Sequence, residues 1–430
     1  MAAELRNYDQ EVFWYQRRLT LAAILVVLCF LGLLGRFFYL QVVQYRHFAT
    51  LAEANRIDVQ PEAPNRGIIT DRNGLVLASN YSAYTLELNP QKIADVDAAI
   101  DEVSKIVEIS ARDRRRFKRL YEEFRTNDSL PLKSRLSDEE VARVAANRFR
   151  LPGIEIKARL FRQYPFGEVA SHVIGYIGRI SQGEKERIEA AGLTANYKGS
   201  DYIGKVGIEL SYEKELHGTA GATEVEVDAS RRVVRTLSRK PSLTGNNLQL
   251  SLDIRLQKIA EDAFGSKRGA LVAIEPATGD VLAFVSKPGY DPNLFVDGID
   301  PQNWEALNTS EDKPLLNRPL RGAYPPGSTY KPFMALMAQE LGIRTAQQAI
   351  SDPGFFRLGG GYWRDDKAGG HGAVDLVKSI AVSCDTYYYQ VAAEADIDEW
   401  AKFMKPFGFG QKTGIDIDGE LPGILPTREW

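Results

Sequence analysis

Leu19 to Gly35 carries no charged side chain, and Phe37-Phe38-Tyr39-Leu40 extends this apolar run past Arg36. Hydrocarbon offers no partner for backbone N–H and C=O groups, so a segment of this length crosses a bilayer only as a helix. Trp14 and Tyr15 on one side and Tyr39 on the other give it aromatic edges. The run therefore divides the chain into a tail at 1–18, a transmembrane anchor at 19–41 and a large soluble remainder. A cleaved signal peptide is the competing reading. No small-residue cleavage site follows the run, which favours retention as an anchor. Charge sets no orientation, because Arg17 and Arg18 precede the span while Arg36 and Arg46 follow it.

With 430 residues the chain has room for two or three domains. Its net charge of −3 argues against a nucleic-acid binder, and the basic run Arg112–Arg119 reads as a solvated helix face. Only two cysteines occur, Cys29 inside the span and Cys384 far downstream, so no disulfide within the soluble part is expected. Asn65 to Leu77 reads as strand, turn, strand with turn chemistry at Asp71–Gly74, and helical patterns follow at Val96–Ile109 and Ser137–Arg148. The second opens with a Ser-Asp-Glu-Glu capping pattern. A polar linker at Arg239–Asn247 precedes a strand at Leu248–Leu252, a helix at Leu256–Phe264 capped by Asp253, and strands at Gly269–Glu275 and Asp280–Ser286. His172 and His217 have no carboxylate or cysteine constellation around them in the sequence and read as structural.

The stretch with the most chemistry is Tyr324-Pro325-Pro326-Gly327-Ser328-Thr329-Tyr330-Lys331-Pro332-Phe333. Pro-Pro-Gly ends regular structure and delivers Ser328 to the start of a helix, whose body of strong helix formers stops at Gly342. Ser328 and Lys331, three apart, share a face, within reach of each other. A lysine crowded into a desolvated site loses proton affinity and can act as the base that activates a serine.

Gly327-Ser328-Thr329-Tyr330-Lys331-Pro332-Phe333 resembles the active-serine motif of penicillin-binding proteins, and the chain as a whole resembles their class B, elongation-type members. Further matching blocks are Asn65–Leu77, Arg162-Gln163-Tyr164-Pro165, Ala170–Tyr176 and Gly204–Glu209 continuing to Gly218. The resemblance implies an α+β multidomain architecture: one N-terminal transmembrane helix, an extended α/β pedestal (dimerisation-type) domain over 42–240, and a penicillin-binding/transpeptidase (serine β-lactamase-like) domain over 248–430. It implies Ser328 as nucleophile, Lys331 as base, and Ser383-Cys384-Asp385 at the second motif. There Ser383 would pass a proton and Asp385 stands where an asparagine is usual. It further implies peptidoglycan stem peptides as substrates, β-lactams as inhibitors, a RodA-type membrane glycosyltransferase and the elongation complex as partners, and a periplasmic catalytic domain anchored in the inner membrane. A division-type transpeptidase, a β-lactam sensor or hydrolase, and a non-catalytic scaffold that activates a glycosyltransferase stay open as alternatives.

Lys412-Thr413-Gly414 matches the family's third motif in letters but follows Phe407-Gly408-Phe409-Gly410 and leads into Ile415-Asp416-Ile417-Asp418, as a connector upstream of the true motif does. It reads as a decoy, with the chain ending inside the catalytic domain before the strand that carries the real one. Glu305-Ala306-Leu307-Asn308 likewise imitates a deacylating loop at the wrong spacing. Finally, Asp352, Asp365, His371 and Cys384 make a four-ligand set whose thiolate and imidazole suit zinc. The resemblance selects Asp365 over Asp366, and Gly354–Gly372 reads as a long loop that the metal would pin.

Overall fold

The computed structural model describes residues 8–46, 56–93, 95–124, 129–228 and 233–430. The helix Tyr8–Phe38 continues through a π-helical turn at Tyr39–Val43. Val12–Val43 is apolar and long enough to span a membrane, and its sequence window is unburied. This fits a single-pass anchor.

The chain forms two compact units. The first contains residues 1–64, 192–199 and 219–243. Its sheet is three antiparallel strands, with Gly221–Val227 between Ile57–Glu62 and Val233–Lys240. Every residue of the last strand is exposed, and cross-strand ion pairs such as Arg235–Glu226 at 2.6 Å and Arg239–Glu62 at 3.0 Å decorate it.

The second unit contains residues 65–191, 200–218 and 244–430. Its main sheet is centred on the long strand Val76–Leu88, which pairs antiparallel with Ile69–Thr70, Leu130–Leu136 and Ile154–Gln163. Leu248–Gln249 adds to the edge, parallel to Ile69–Thr70. The Asp71–Gly74 turn forms as its composition predicts: Asp71 accepts from the Asn73 and Leu75 N–H groups at 2.8 Å each, and Gly74 takes φ +82°. The capping box Ser137–Glu140 closes on the helix Asp138–Ala146. The helical pattern at Val96–Ile109 is shorter in the structure, running from Val96 to Ser104.

The polar linker holds the change from the first unit to the second, between residues 243 and 244, and the second unit draws its core from both sides of it. One core joins Ile69, Leu77, Tyr164, Val173, Ile208 and Leu216 from before it to Leu252, Phe284, Leu320 and Ile417 from after it. A second core around Leu86, Val103, Phe117 and Leu132 sits under the helices Val96–Ser104 and Ala111–Phe124. A third, with Ala335, Met337, Tyr387, Val391 and Met404, holds the helices that follow Ser328.

Three separated sequence blocks converge on one carboxylate. Glu209, fully buried, accepts from Arg66 Nε at 2.6 Å, Arg162 Nε at 2.7 Å and the Tyr164 hydroxyl at 3.2 Å. Arg162 also donates to Gly67 O, and Arg66 to Glu209 O. Burial alone would raise the Glu209 carboxyl, but the Arg66 and Arg162 guanidiniums outweigh it and hold the group below its ordinary value. His172 and His217 are buried in packing roles. His172 Nε2 lies 2.8 Å from Pro314 O, and His217 Nε2 lies 2.9 Å from Ser200 Oγ.

Glu209→Ala should therefore cost about 3–5 kcal/mol, since it leaves the buried Arg162 guanidinium without a carboxylate, while Arg66 keeps Glu213 at 2.8 Å. The loss would be read as a lower urea midpoint of the detergent-solubilised chain, whereas Arg239→Ala at an exposed pair should leave the midpoint nearly unchanged. The folded carboxyl lies below its unfolded value of about 4.3, so its stabilisation is complete above that value and fades as pH falls through the folded value. The difference between Glu209→Ala and the unsubstituted chain should thus stay constant from about pH 8 to about pH 5 and shrink only below about pH 4.

Candidate active site

Gly327, at φ +60°, turns the chain into a 3₁₀ segment, Gly327–Tyr330, which leads into the helix Lys331–Glu340. Pro332 falls in the first turn, where its missing N–H costs nothing. The sequence places Ser328 at the start of the helix. Instead it lies within the 3₁₀ turn, exposed, and its hydroxyl accepts a hydrogen bond from Ser383 Oγ at 2.9 Å. Lys331 is buried to 8% exposure. Its Nζ donates to Ser383 O at 2.5 Å and Ser383 Oγ at 3.1 Å and pairs with Asp385 Oδ1 at 2.6 Å. No hydrogen bond joins Lys331 to Ser328 directly among the described residues. The connection expected from their i, i+3 spacing runs through Ser383.

Ser383 sits at the bend between the helices Leu376–Ala381 and Asp385–Glu394 with φ +56°, the left-handed region that side chains avoid. In that conformation its carbonyl and its hydroxyl both reach Lys331. The bend is held from behind: Cys384 N–H donates to Ser379 O at 3.0 Å, and the fully buried Cys384 thiol lies 3.4 Å from Asp365 Oδ2 and 3.5 Å from Asp352 Oδ2. Two residues outside the sequence-derived site contribute. The Tyr388 ring lies 5.6 Å from Lys331 Nζ, its hydroxyl held by Ser379 Oγ at 3.0 Å. The Thr386 N–H donates to Asp365 Oδ2 at 2.7 Å. Their signal was present in sequence only as positions one helical turn or less from Asp385.

The four residues singled out as metal ligands come together. Their ligand atoms all lie within 4.8 Å of one another, and His371 Nδ1 is 2.9 Å from Asp352 Oδ2 and 3.4 Å from Asp365 Oδ1. Tetrahedral zinc, with bonds of about 2.0–2.3 Å, needs ligand separations of roughly 3.3–3.8 Å, and the separations found, from 2.9 Å to within 4.8 Å, bracket that range. Asp365 Oδ1 is buried without a hydrogen-bond partner. Burial, with Asp365 and Asp352 beside it, pushes the Cys384 thiol up to about 12. A thiol, a ring nitrogen and two buried carboxylates, one oxygen unsatisfied, fit a cation. Asp366, by contrast, is exposed, 3.9 Å from His371 Nε2.

Gly354–Gly372 is not the irregular loop that its composition suggested. Phe355–Leu358 and Gly361–Arg364 form a hairpin closed by Gly359-Gly360, and Ile350–Asp352 pairs with Gly372–Val374. Gly-Gly between aromatic-rich runs is a two-residue turn signal that sequence reasoning passed over. Lys412, Thr413 and Gly414 lie in exposed coil, where Glu420 accepts from Thr413 N–H and Oγ1 at 2.7 and 2.6 Å. Thr413 and Gly414 line a cavity with Ile208, Leu252 and Phe284, away from Ser328. Glu305 is exposed on the helix Pro301–Thr309.

Comparison with known proteins gives the family. The profile of the penicillin-binding protein dimerisation domain matches residues 61–250, and that of the penicillin-binding protein transpeptidase domain matches residues 269–430. The chain is 42% identical to a peptidoglycan D,D-transpeptidase MrdA of Acinetobacter baumannii over 99% of its own length and 63% of the relative's. To the MrdA of Escherichia coli it is 41% identical, over 99% and 68%. The chain thus spans about two thirds of the length of these relatives. Among solved structures, penicillin-binding protein 2 of Helicobacter pylori in complex with MreC is 31% identical with a TM-score of 0.74, covering 87% of this chain and 70% of that one. Penicillin-binding protein 2 of Pseudomonas aeruginosa in complex with WCK 5153 is 36% identical with a TM-score of 0.60, covering 87% and 62%. From its apolar N-terminal helix to its serine–lysine site, the chain belongs to the penicillin-binding protein family, with that family's dimerisation and transpeptidase domains.

Proposed function

We propose that the protein is an elongation-type peptidoglycan D,D-transpeptidase that works through a Ser328 acyl-enzyme. The observation that carries this reading is the unbroken hydrogen-bonded path Ser328–Ser383–Lys331 at 2.9 and 3.1 Å. Ser328 Oγ attacks the carbonyl carbon of the penultimate D-alanine, and its proton moves through Ser383 Oγ toward Lys331 in its amine form. The C–N bond to the terminal D-alanine breaks as that nitrogen takes the proton back along the same path. The amine of a second stem peptide then attacks the ester, forming the cross-link amide and returning the proton to Ser328 Oγ. Developing oxyanion charge falls to backbone N–H groups, with that of Ser328 among them. Asp385 and the Tyr388 ring hold the Lys331 head in place between turnovers.

β-Lactams would acylate the same serine. We assign the catalytic part to 248–430, the pedestal to 42–240, and the site to the periplasmic side of an inner-membrane anchor. The partners we infer are a RodA-type glycosyltransferase and the elongation complex, to which the MreC complex of the H. pylori relative adds weight. We further assign Asp352, Asp365, His371 and Cys384 to a structural zinc ion, which when bound would supply the cation that the buried carboxylates lack and hold the thiol as thiolate.

In the full-length protein, Ser328→Ala should abolish covalent labelling by a fluorescent penicillin. As an exposed position, it should change stability by no more than about 0.5 kcal/mol. Labelling of Ser328→Ala at the unsubstituted rate would sink the assignment. A rapidly lost adduct would point to a hydrolase, and a folded protein that never labels would point to a scaffold.

Lys412→Ala should leave the labelling rate within about twofold, because a surface lysine outside the site changes little. A large drop without unfolding would make Lys412-Thr413-Gly414 the working third motif.

Elemental analysis of protein purified without chelators should find one zinc per chain. Cys384→Ser and His371→Ala should each release it and lower the melting temperature. Metal-free protein of full stability would remove the zinc assignment.

A further inference from the structure

The bend that carries Ser383 is fastened from two sides, and the acid cluster is only one of them. Ser379 and Tyr388 stand on the two helices that meet there, nine positions apart, with their hydroxyls 3.0 Å from each other. Both residues are buried, Ser379 completely. Ser379 Oγ also donates to Leu376 O at 2.7 Å, which spends its single proton. Tyr388 is therefore the donor in the bond between the two hydroxyls.

Burial alone does not account for this pairing. Tyr387, next to it in the same core, is fully buried, and its hydroxyl has no hydrogen-bond partner among the described residues. The Ser379–Tyr388 bond joins the helix Leu376–Ala381 to the helix Asp385–Glu394 directly, side chain to side chain. Inside the span it closes, Ser383 N–H donates to Ile380 O at 3.2 Å and Cys384 N–H to Ser379 O at 3.0 Å. Ser379 thus holds the bend through its carbonyl and the second helix through its hydroxyl. The ring that its hydroxyl steadies lies 5.6 Å from Lys331 Nζ.

We propose that Ser379 and Tyr388 form a clasp that fixes Ser383 Oγ between Ser328 and Lys331, which makes both of them positioning residues for acylation. The inference rests on the acyl-enzyme reading above. Ser383 Oγ stands 2.9 Å from Ser328 Oγ and 3.1 Å from Lys331 Nζ, and both bonds run from the lysine toward Ser328. Acylation needs the opposite sense. Ser328 gives its proton to Ser383 Oγ as Ser383 gives its own to the Lys331 amine. That reversal moves hydrogens alone, provided the three heavy atoms keep their places. The left-handed backbone of Ser383, at φ +56°, would relax if the angle between its two helices were free. A shift of about 1 Å would open one of the two bonds, and misplacement of that order costs rate while the fold survives.

The experiment is labelling of the detergent-solubilised full-length protein by a fluorescent penicillin at a series of concentrations. It separates the maximal labelling rate from the half-saturating concentration, each rate being referred to the fraction of chains that finally label. Tyr388→Phe keeps the ring and loses the donor, and Ser379→Ala loses the acceptor. Each should lower the maximal rate roughly three- to tenfold, about the worth of one net hydrogen bond, and leave the half-saturating concentration within about twofold. The double variant should be no slower than the slower single one, because both changes remove the same bond. Single effects that multiply in the double variant, or a maximal rate unchanged in Tyr388→Phe, would overturn the clasp. So would a lowered melting temperature with an unchanged rate, which is what a packing role alone predicts. An unsubstituted protein that acquires no adduct, or Ser328→Ala that labels as fast as it does, removes the acyl-enzyme reading and the clasp with it. Failure of the clasp alone leaves Ser328 labelling and shows only in the comparison among variants.

Discussion

The second unit depends on a charge that burial alone would make costly. Glu209 is fully enclosed and would be expensive as a lone carboxylate, so the fold brings Arg66, Arg162 and the Tyr164 hydroxyl to its two oxygens. Those partners come from two stretches far apart in sequence, and Glu209 from a third. Satisfying one carboxylate therefore sets the relative position of the strand edge at Gly67, the end of the strand Ile154–Gln163 and the turn at Gly207. A hydrophobic contact in the same place would tolerate sliding. A carboxylate with fixed lone-pair directions and two guanidinium forks does not.

The same device recurs around Lys331. An ammonium 8% exposed is stabilised by a carboxylate, a carbonyl, a hydroxyl and a ring face. Two of these partners belong to Ser383, whose left-handed backbone is disfavoured by about 1–3 kcal/mol. That strain persists because its neighbours are pinned. Cys384 is packed between Asp352 and Asp365, and Thr386 is bonded to Asp365. The acid cluster and the Lys331–Ser383–Ser328 hydrogen bonds are thus adjacent parts of one turn, and whatever stabilises the cluster also stabilises the geometry of Ser383.

Much of this was legible in the sequence because local chemistry and fold agree. The apolar run, the Asp71–Gly74 turn, the capping box and the serine–lysine spacing each follow from residues within a few positions of one another. The set Asp352, Asp365, His371 and Cys384 was legible as chemistry, since few other roles suit those four side chains together. What escaped were features set by partners distant in the chain. The 3.1 Å bond from Lys331 to Ser383 Oγ, in place of one to Ser328, spans 52 positions. The polar linker at 239–247 does contain the change between the two units, but the packing of Leu252 and Phe284 with Ile69 and Leu216 across it is not readable from composition. The hairpin at Phe355–Arg364 was missed for another reason. Its glycines and aromatics were weighed as composition, when the order Leu358-Gly359-Gly360-Gly361 is itself a turn signal.

Lys412-Thr413-Gly414 shows why a three-letter pattern carries chemistry only with its backbone. On a strand edge, its lysine and threonine could face a substrate carboxylate beside the nucleophile. Here the Thr413 hydroxyl and N–H are both spent on Glu420, and Gly414, at φ +85°, turns the chain toward Ile415 and the core residue Ile417. A side chain whose hydrogen bonds close within eight residues is holding a loop in shape. Ser328 is the opposite case: its hydroxyl reaches across 55 positions to Ser383, and it stays exposed. That difference in reach, more than the motif letters, sets Ser328 apart from Lys412-Thr413-Gly414.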